Sequence, residues 1–180
     1  HILAIFKDGT YYTTSFDLSN RYQGELLKIE KLDVGKVYTA LYYDKAVASF
    51  YVKRFSFDVS DNTAVSFISE AKGSYLVELS DDKHPQFEIT FGGKHEHREA
   101  ETVDAEEFIA KKGLQAKGKK TSQYDVKGVT FIEPLHKPED DVVPEESEAE
   151  KQAGEIDNTD VVDEEPLDLN IDEDNQLTLF

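Results

Sequence analysis

Residues 2–16 read ILAIFKDGTYYTTSF, two runs of apolar, aromatic and β-branched residues on either side of Asp8-Gly9. The runs 2–7 and 10–16 have the composition of β-strands. Asp-Gly is a dipeptide that tolerates the positive φ angles of a tight hairpin turn. The stretch therefore predicts a β-hairpin.

The same pattern of short aromatic-rich runs and turn residues continues along the chain. It predicts strands over 37–43 and 49–57, joined at Asp44-Lys45, and a hairpin of 64–69 with 74–79 around Lys72-Gly73. Further strands are predicted over 86–91 and 126–132, whereas 104–109 fits either a helical turn or a strand. The fold class is therefore all-β.

A loose repeat runs through these strands. Gly9, Gly73 and Gly113 each follow an apolar strand end and one or more charged residues, at intervals of 64 and 40 residues. Such a repeat favours an array of four-stranded units with insertions over a single sandwich.

Charge divides the chain into two regions. Residues 1–136 contain 18 Lys+Arg and 21 Asp+Glu, while 137–180 contain 2 and 17, which together give the net charge of −18. Residues 137–180 have too few apolar residues to offset the entropy of ordering, so we predict a disordered acidic tail after a domain spanning 1–136.

Several protein classes are disfavoured by composition. The chain has no cysteine for disulfides or thiolate metal sites, no apolar run of membrane-spanning length and no signal-peptide pattern, so a cytoplasmic location is expected. It also lacks methionine and begins inside an apolar run, which we interpret as a fragment whose start lies upstream. No nucleophile elbow or phosphate loop is found, and we expect neither a catalytic centre nor a cofactor here.

Lysines concentrate in one segment. Residues 111–120 hold five lysines and two glycines and are followed by Thr121 and Ser122, whose hydroxyls can donate to phosphate. Lys53-Arg54 lies in a predicted strand and Lys72 at a predicted hairpin tip. These residues predict a phosphate-binding surface, against the alternative of solvated lysine-rich loops. His95 and His97 would form a metal pair only if their segment were a strand.

Five stretches together carry a resemblance to a known family: 2–10 (ILAIFKDGT), 37–44 (VYTALYYD), 50–55 (FYVKRF), 67–74 (FISEAKGS) and 111–119 (KKGLQAKGK). Over roughly residues 1–133 the chain resembles the C-terminal region of the A subunit of bacterial type IIA topoisomerases, of the topoisomerase IV or gyrase kind found in Bacteroidetes. The resemblance implies a β-pinwheel, a disc of four-stranded blades whose basic rim bends double-stranded DNA. A full disc needs five or six blades and these residues supply about three, which implies a partial disc.

The resemblance also implies a role and partners. The domain would present a DNA segment to an upstream cleavage core for ATP-dependent strand passage, in a nucleoid-associated enzyme. The parent would use ATP and Mg on other domains, pair with an ATPase B subunit and form an A-subunit homodimer. The Gln-Arg-Arg-Gly-Gly-type box of true gyrases is not found, which favours a relaxing and decatenating role. The family's catalytic tyrosine lies upstream, so Tyr22 after Arg21 is interpreted as structural.

The family's DNA contacts are mostly lysine and arginine in blade loops. They carry over to Lys53, Arg54, Lys72, Lys111, Lys112, Lys117, Lys119 and Lys120.

Two other functions compete with DNA binding. The aromatic content and the apolar tip Leu177-Thr178-Leu179-Phe180 suit a propeller-like protein–protein interaction module. The hypothesis of a free-standing hydrolase or metal enzyme is supported only by scattered histidines. The acidic tail adds a further expectation, because a tethered polyanion can occupy a lysine surface in place of DNA.

Overall fold

The computed structural model describes residues 1–137, so Pro138 to Phe180, which contain nearly all of the predicted tail and its apolar tip, lie outside the described residues. The described part is nearly all β-structure, with one single-turn helix α1 (Ala105–Phe108) and a 3-10 turn (Gly93–His95). The strands are β1 (Ile2–Phe6), β2 (Thr10–Thr14), β3 (Leu26–Lys31), β4 (Tyr38–Asp44), β5 (Ser49–Phe55), β6 (Val65–Ser66), β7 (Tyr75–Ser80), β8 (Gln86–Phe91), β9 (Glu101–Asp104), β10 (Lys119–Lys120) and β11 (Val126–Ile132).

These strands form three open antiparallel sheets. Sheet one has the order β3-β1-β2-β6, sheet two β10-β5-β4-β7 and sheet three β11-β8-β9. The prediction of an all-β chain built from small sheets is confirmed. The arrangement of such sheets as blades of a pinwheel disc stays a prediction.

Sheet two is the central layer because both of its faces are buried. Tyr38, Ala40 and Phe55 belong to a core cluster shared with Leu3, Ile5 and Tyr11 of sheet one. Leu41, Phe50 and Val52 belong to a second cluster shared with Phe87, Ile89 and Val129 of sheet three. Burying a large apolar side chain contributes roughly 1.5–3 kcal/mol, so these two interfaces hold the three sheets together.

Two predicted hairpins are confirmed. β1 pairs with β2 across Asp8-Gly9, where Gly9 has φ +82° and the Asp8 carboxylate accepts a 3.0 Å hydrogen bond from Thr10 N. β4 pairs with β5 along its whole length, from Tyr38 opposite Phe55 to Asp44 opposite Ser49.

The predicted hairpin around Lys72-Gly73 is wrong. β6 pairs with β2 in sheet one, whereas β7 pairs with β4 in sheet two. The two strands separate because Phe67 is buried in the first core cluster and its N–H donates to Gly9 O at 2.9 Å, which ties this segment to sheet one.

Residues 104–109 form a helical turn, one of the two alternatives. Asp104 ends β9 and caps α1, its carboxylate accepting a 2.7 Å hydrogen bond from Glu106 N. An aspartate at this position satisfies backbone donors that the helix cannot. Strands β3, β9 and β10 were not predicted. In β3 the usual alternation is reversed, because Leu27 and Ile29 are exposed while Lys28 and Glu30 are half-buried.

Candidate nucleic-acid interface

The lysine-rich segment 110–120 lies along the outer edge of sheet two. Lys112 N donates to Arg54 O at 2.8 Å, and β10 pairs with β5 so that Lys119 is opposite Val52 and Lys120 opposite Tyr51. Backbone pairing with an edge strand therefore fixes this segment in one place. Lys111, Lys112, Lys119 and Lys120 are all exposed.

Two turns extend the same edge. The β4–β5 turn carries exposed Lys45, whose N–H donates to Ser74 Oγ at 2.9 Å. The connection from β6 to β7 carries exposed Lys72, followed by Gly73 at φ +91°. A Cβ at Gly73 would lie 3.2 Å from Lys45 Cγ, so the two turns are in close contact.

We call the exposed cations of these segments the lysine surface; they are Lys45, Lys72, Lys111, Lys112, Lys117, Lys119 and Lys120. From Arg54, which binds Lys112, to Ser49, which follows the β4–β5 turn, β5 spans roughly 17 Å at about 3.3 Å per residue. The axial rise of DNA is about 3.4 Å per base pair, so the surface matches roughly five base pairs. Lys45 was not among the predicted contacts, although the prediction of a turn at Asp44-Lys45 already placed it at an exposed tip.

Carboxylates are scarce on these segments. Residues 110–120 contain none, Glu70 is exposed on the β6–β7 connection, and Asp44 is buried. The local charge is therefore strongly positive even though the chain as a whole is acidic.

Two of the lysines are held by aromatic neighbours. Lys117 Nζ lies 2.7 Å from Asp44 Oδ2 and 4.7 Å from the ring centre of Tyr51. Lys119 Nζ donates to Phe108 O at 3.2 Å and lies 3.8 Å from that residue's ring centre. These contacts orient the ammonium groups while leaving both residues exposed.

Lys53, a predicted DNA contact, is buried. Its Nζ donates to Phe67 O at 2.8 Å and to Leu114 O at 2.6 Å, and it lies 4.8 Å from the ring centre of Phe55. Burial lowers the pKa of Lys53 to about 8. Because only 4% of the residue is exposed, Lys53 does not belong among the predicted DNA contacts.

Arg54, another predicted contact, is committed to an ion cluster. Arg54 Nη2 lies 2.8 Å from Glu106 Oε1, and only 11% of the arginine side chain is exposed. Glu106 Oε2 also lies 2.5 Å from His84 Nδ1 and 3.0 Å from Lys137 Nζ. Burial alone would raise the pKa of Glu106, but hydrogen bonds from His84 and Lys137 and the Arg54 charge lower it to about 2. The Arg54 charge is therefore largely neutralised inside the domain.

The histidines considered as a metal pair and the tyrosine considered as catalytic are placed by the fold in structural roles. His95 ends a 3-10 turn, so His95 and His97 do not share a strand face, and Asp125 N donates to His95 Nδ1 at 3.1 Å. Tyr22 stacks on Tyr12 with ring centres 6.0 Å apart, and its hydroxyl is 3.2 Å from Thr14 Oγ1. Within residues 1–137, no helix has the length and apolar character needed to cross a membrane.

Comparison with known proteins gives one match. The model of the family described as Topoisomerase C-terminal domain, Bacteroidota, matches residues 1–133, which end directly after β11. No curated protein and no solved structure matches the chain.

Proposed function

The chain belongs to the topoisomerase C-terminal domain family of Bacteroidota, and from this premise we propose that its lysine surface binds the backbone of double-stranded DNA. A domain of this family is an accessory part of a topoisomerase. The observation that supports DNA binding is the alignment of seven exposed lysines along one sheet edge and its adjoining turns.

The chemistry of this surface suits phosphate and not base recognition. Lysine ammonium groups neutralise phosphates and release counterions, which gives affinity without sequence specificity. A strip matching roughly five base pairs is also short enough to follow a bent duplex. The proposed contact is therefore with the backbone of any DNA sequence.

The proposed role is that of an A-subunit domain in a type IIA topoisomerase. It would bend a duplex segment and present it to the cleavage core of the parent enzyme for ATP-dependent strand passage. The ATP and Mg chemistry, the B-subunit partner and the A-subunit dimer would belong to other domains of that parent. A relaxing and decatenating activity of the topoisomerase IV kind, at the nucleoid in the cytoplasm, is the form we favour.

Measuring duplex affinity of the full chain against salt tests the proposal. Each phosphate contact adds about −0.9 to the slope of log K against log salt, so five contacts give a slope of about −4.5. Replacing Lys112 and Lys120 by glutamine should make the slope shallower by about 1.8. Replacing Lys7 and Lys31, two exposed lysines of the sheet-one region, is the matched control and should leave the slope unchanged. A slope near zero for the parent chain would refute DNA binding.

A second candidate is a propeller-like protein-interaction module. It is favoured by the exposure of Phe16 (85%) and Leu18 (98%) and by the apolar sequence of residues 177–180, which lie outside the described part. Retention of a partner after nuclease treatment, with no salt-dependent DNA binding, would support this candidate in place of the first.

A further inference from the structure

Asp44 is a buried carboxylate at the end of β4, beneath the lysine surface. Only 1% of the residue is exposed. Its Oδ1 accepts hydrogen bonds from Ala46 N at 2.9 Å and from Ser69 Oγ at 3.0 Å, while Oδ2 lies 2.7 Å from Lys117 Nζ. One side chain therefore connects three segments that are distant in sequence.

Each of those segments carries members of the lysine surface. Ala46 follows Lys45 in the β4–β5 turn, Ser69 lies in the connection that carries Lys72, and Lys117 belongs to segment 110–120. Two hydrogen bonds link the end of β4 and its turn to the Lys72 connection, one from Ser69 Oγ to Asp44 and one from Lys45 N to Ser74 Oγ.

Lys53 binds two of the same segments and lines a small cavity together with Asp44. The cavity has a volume of about 180 Å³. Lys53 Nζ binds the carbonyls of Phe67 and Leu114, which lie two and three residues from Ser69 and Lys117. Tyr42 adds a hydrogen bond from its hydroxyl to Lys117 O. Buried polar contacts thus fix these two loops in addition to the apolar packing of Phe67 and Leu114.

We propose that Asp44 is a positioning residue for DNA binding, which holds Lys45, Lys72 and Lys117 in one arrangement without touching DNA itself. The inference rests on the proposed function. Its physical basis is that a surface already ordered before binding loses less conformational freedom when it meets the phosphates. The hydrogen bond from Lys117 lowers the pKa of Asp44, so the carboxylate is charged at neutral pH.

Replacement of Asp44 by asparagine distinguishes positioning from simple charge. The amide oxygen can keep the bonds from Ala46 and Ser69, but the NH2 group would face the Lys117 ammonium, donor against donor. Charge alone predicts tighter DNA binding, because the substitution removes a negative charge beneath a cationic surface. Positioning predicts weaker binding, by about tenfold at 0.1 M salt, since Lys117 and its segment must then be ordered on binding.

The matched control is Glu70→Gln in the full chain. Glu70 is an exposed carboxylate on the same connection as Lys72, so its replacement changes the charge equally without releasing the Asp44 contacts. We expect this variant to bind DNA as tightly as the parent or slightly tighter. Ser69→Ala is a milder second variant that removes one Asp44 contact without any change of charge, and we expect about threefold weaker binding.

The salt slope separates positioning from a general loss of stability. A partly unfolded sample binds less DNA, but its folded fraction keeps the parent's slope of log K against log salt. Misplaced loops lose phosphate contacts, and each lost contact makes that slope shallower by about 0.9. Asp44→Asn with unchanged or tighter affinity and an unchanged slope would overturn the inference while leaving DNA binding intact. A parent chain without salt-dependent binding would overturn both. Should Asp44→Asn fail to fold, Ser69→Ala decides by the same two measurements.

Discussion

Replacing Glu106 by glutamine is expected to destabilise the domain, because this carboxylate binds the cations Arg54 and Lys137 as well as the His84 ring. Arg54, His84 and Lys137 all lie within 3.0 Å of its oxygens. The substitution keeps the shape of the side chain but leaves the poorly exposed Arg54 guanidinium without its counter-charge. Removing one partner of a buried pair is costly because the remaining charge stays desolvated.

The magnitude follows from the pKa of Glu106. A fall from the ordinary value of 4.5 to about 2 corresponds to an upper bound of roughly 3 kcal/mol at 1.36 kcal/mol per pKa unit. Since 27% of the Glu106 side chain remains exposed, solvent screening reduces the expected loss to about 2 kcal/mol. For a domain of this size that loss lowers Tm by about 6–8 °C.

Urea unfolding at pH 7, followed by circular dichroism, measures the effect, and Glu107→Gln is the matched control because Glu107 is an exposed neighbour. The pH dependence provides a second readout. A carboxylate with a lowered pKa contributes stability above pH 4.5, and that stability is lost as pH falls towards 2. The parent should therefore lose more stability than Glu106→Gln over this window. Equal stabilities of the two glutamine variants at pH 7 would refute the reasoning.

Two further predictions concern the tail and the buried lysine. Truncation after Lys137 removes 17 acidic residues and preserves the contact between Lys137 and Glu106. It should raise DNA affinity at low salt, because the acidic tail no longer competes for the lysine surface. Equal affinity of the two forms in a duplex titration would show that the tail only solubilises the chain. The pKa of Lys53 is lowered from 10.5 to about 8, so above pH 8 the unfolded chain binds more protons than the folded domain. The free energy of unfolding should therefore rise by roughly 1.5 kcal/mol between pH 8 and 9.5. Urea unfolding should show that rise in the parent and not in Lys53→Met, and the same rise in both would contradict the assignment.

The local sequence was sufficient to predict several elements of the fold. The Asp8-Gly9 hairpin forms as predicted because its turn depends on a backbone angle that Gly9 adopts at little cost. The strand β11 begins and ends at the predicted residues 126 and 132, and the segment 86–91 forms β8. The concentration of lysines over 111–120 likewise needs no tertiary contact to be recognised.

The candidate site was only partly accessible from sequence. Alternation along β5 places Lys53 on the same face as Phe55, which points to burial, but the two carbonyls that receive its ammonium belong to residues 67 and 114. Arg54 is neutralised by Glu106, 52 residues away. Neither partner can be identified from the neighbourhood of residues 53 and 54.

The sequence by itself determined the all-β class, the first hairpin and the existence of a lysine-rich segment, because turns, alternation and composition depend on residues next to one another. Tertiary structure alone decided that β6 and β7 belong to different sheets, that segment 110–120 lies along β5, and which cations remain exposed. These outcomes depend on pairing and burial between distant residues, where Phe67 in the core and Asp44 beneath the turns select one arrangement among many with the same local pattern.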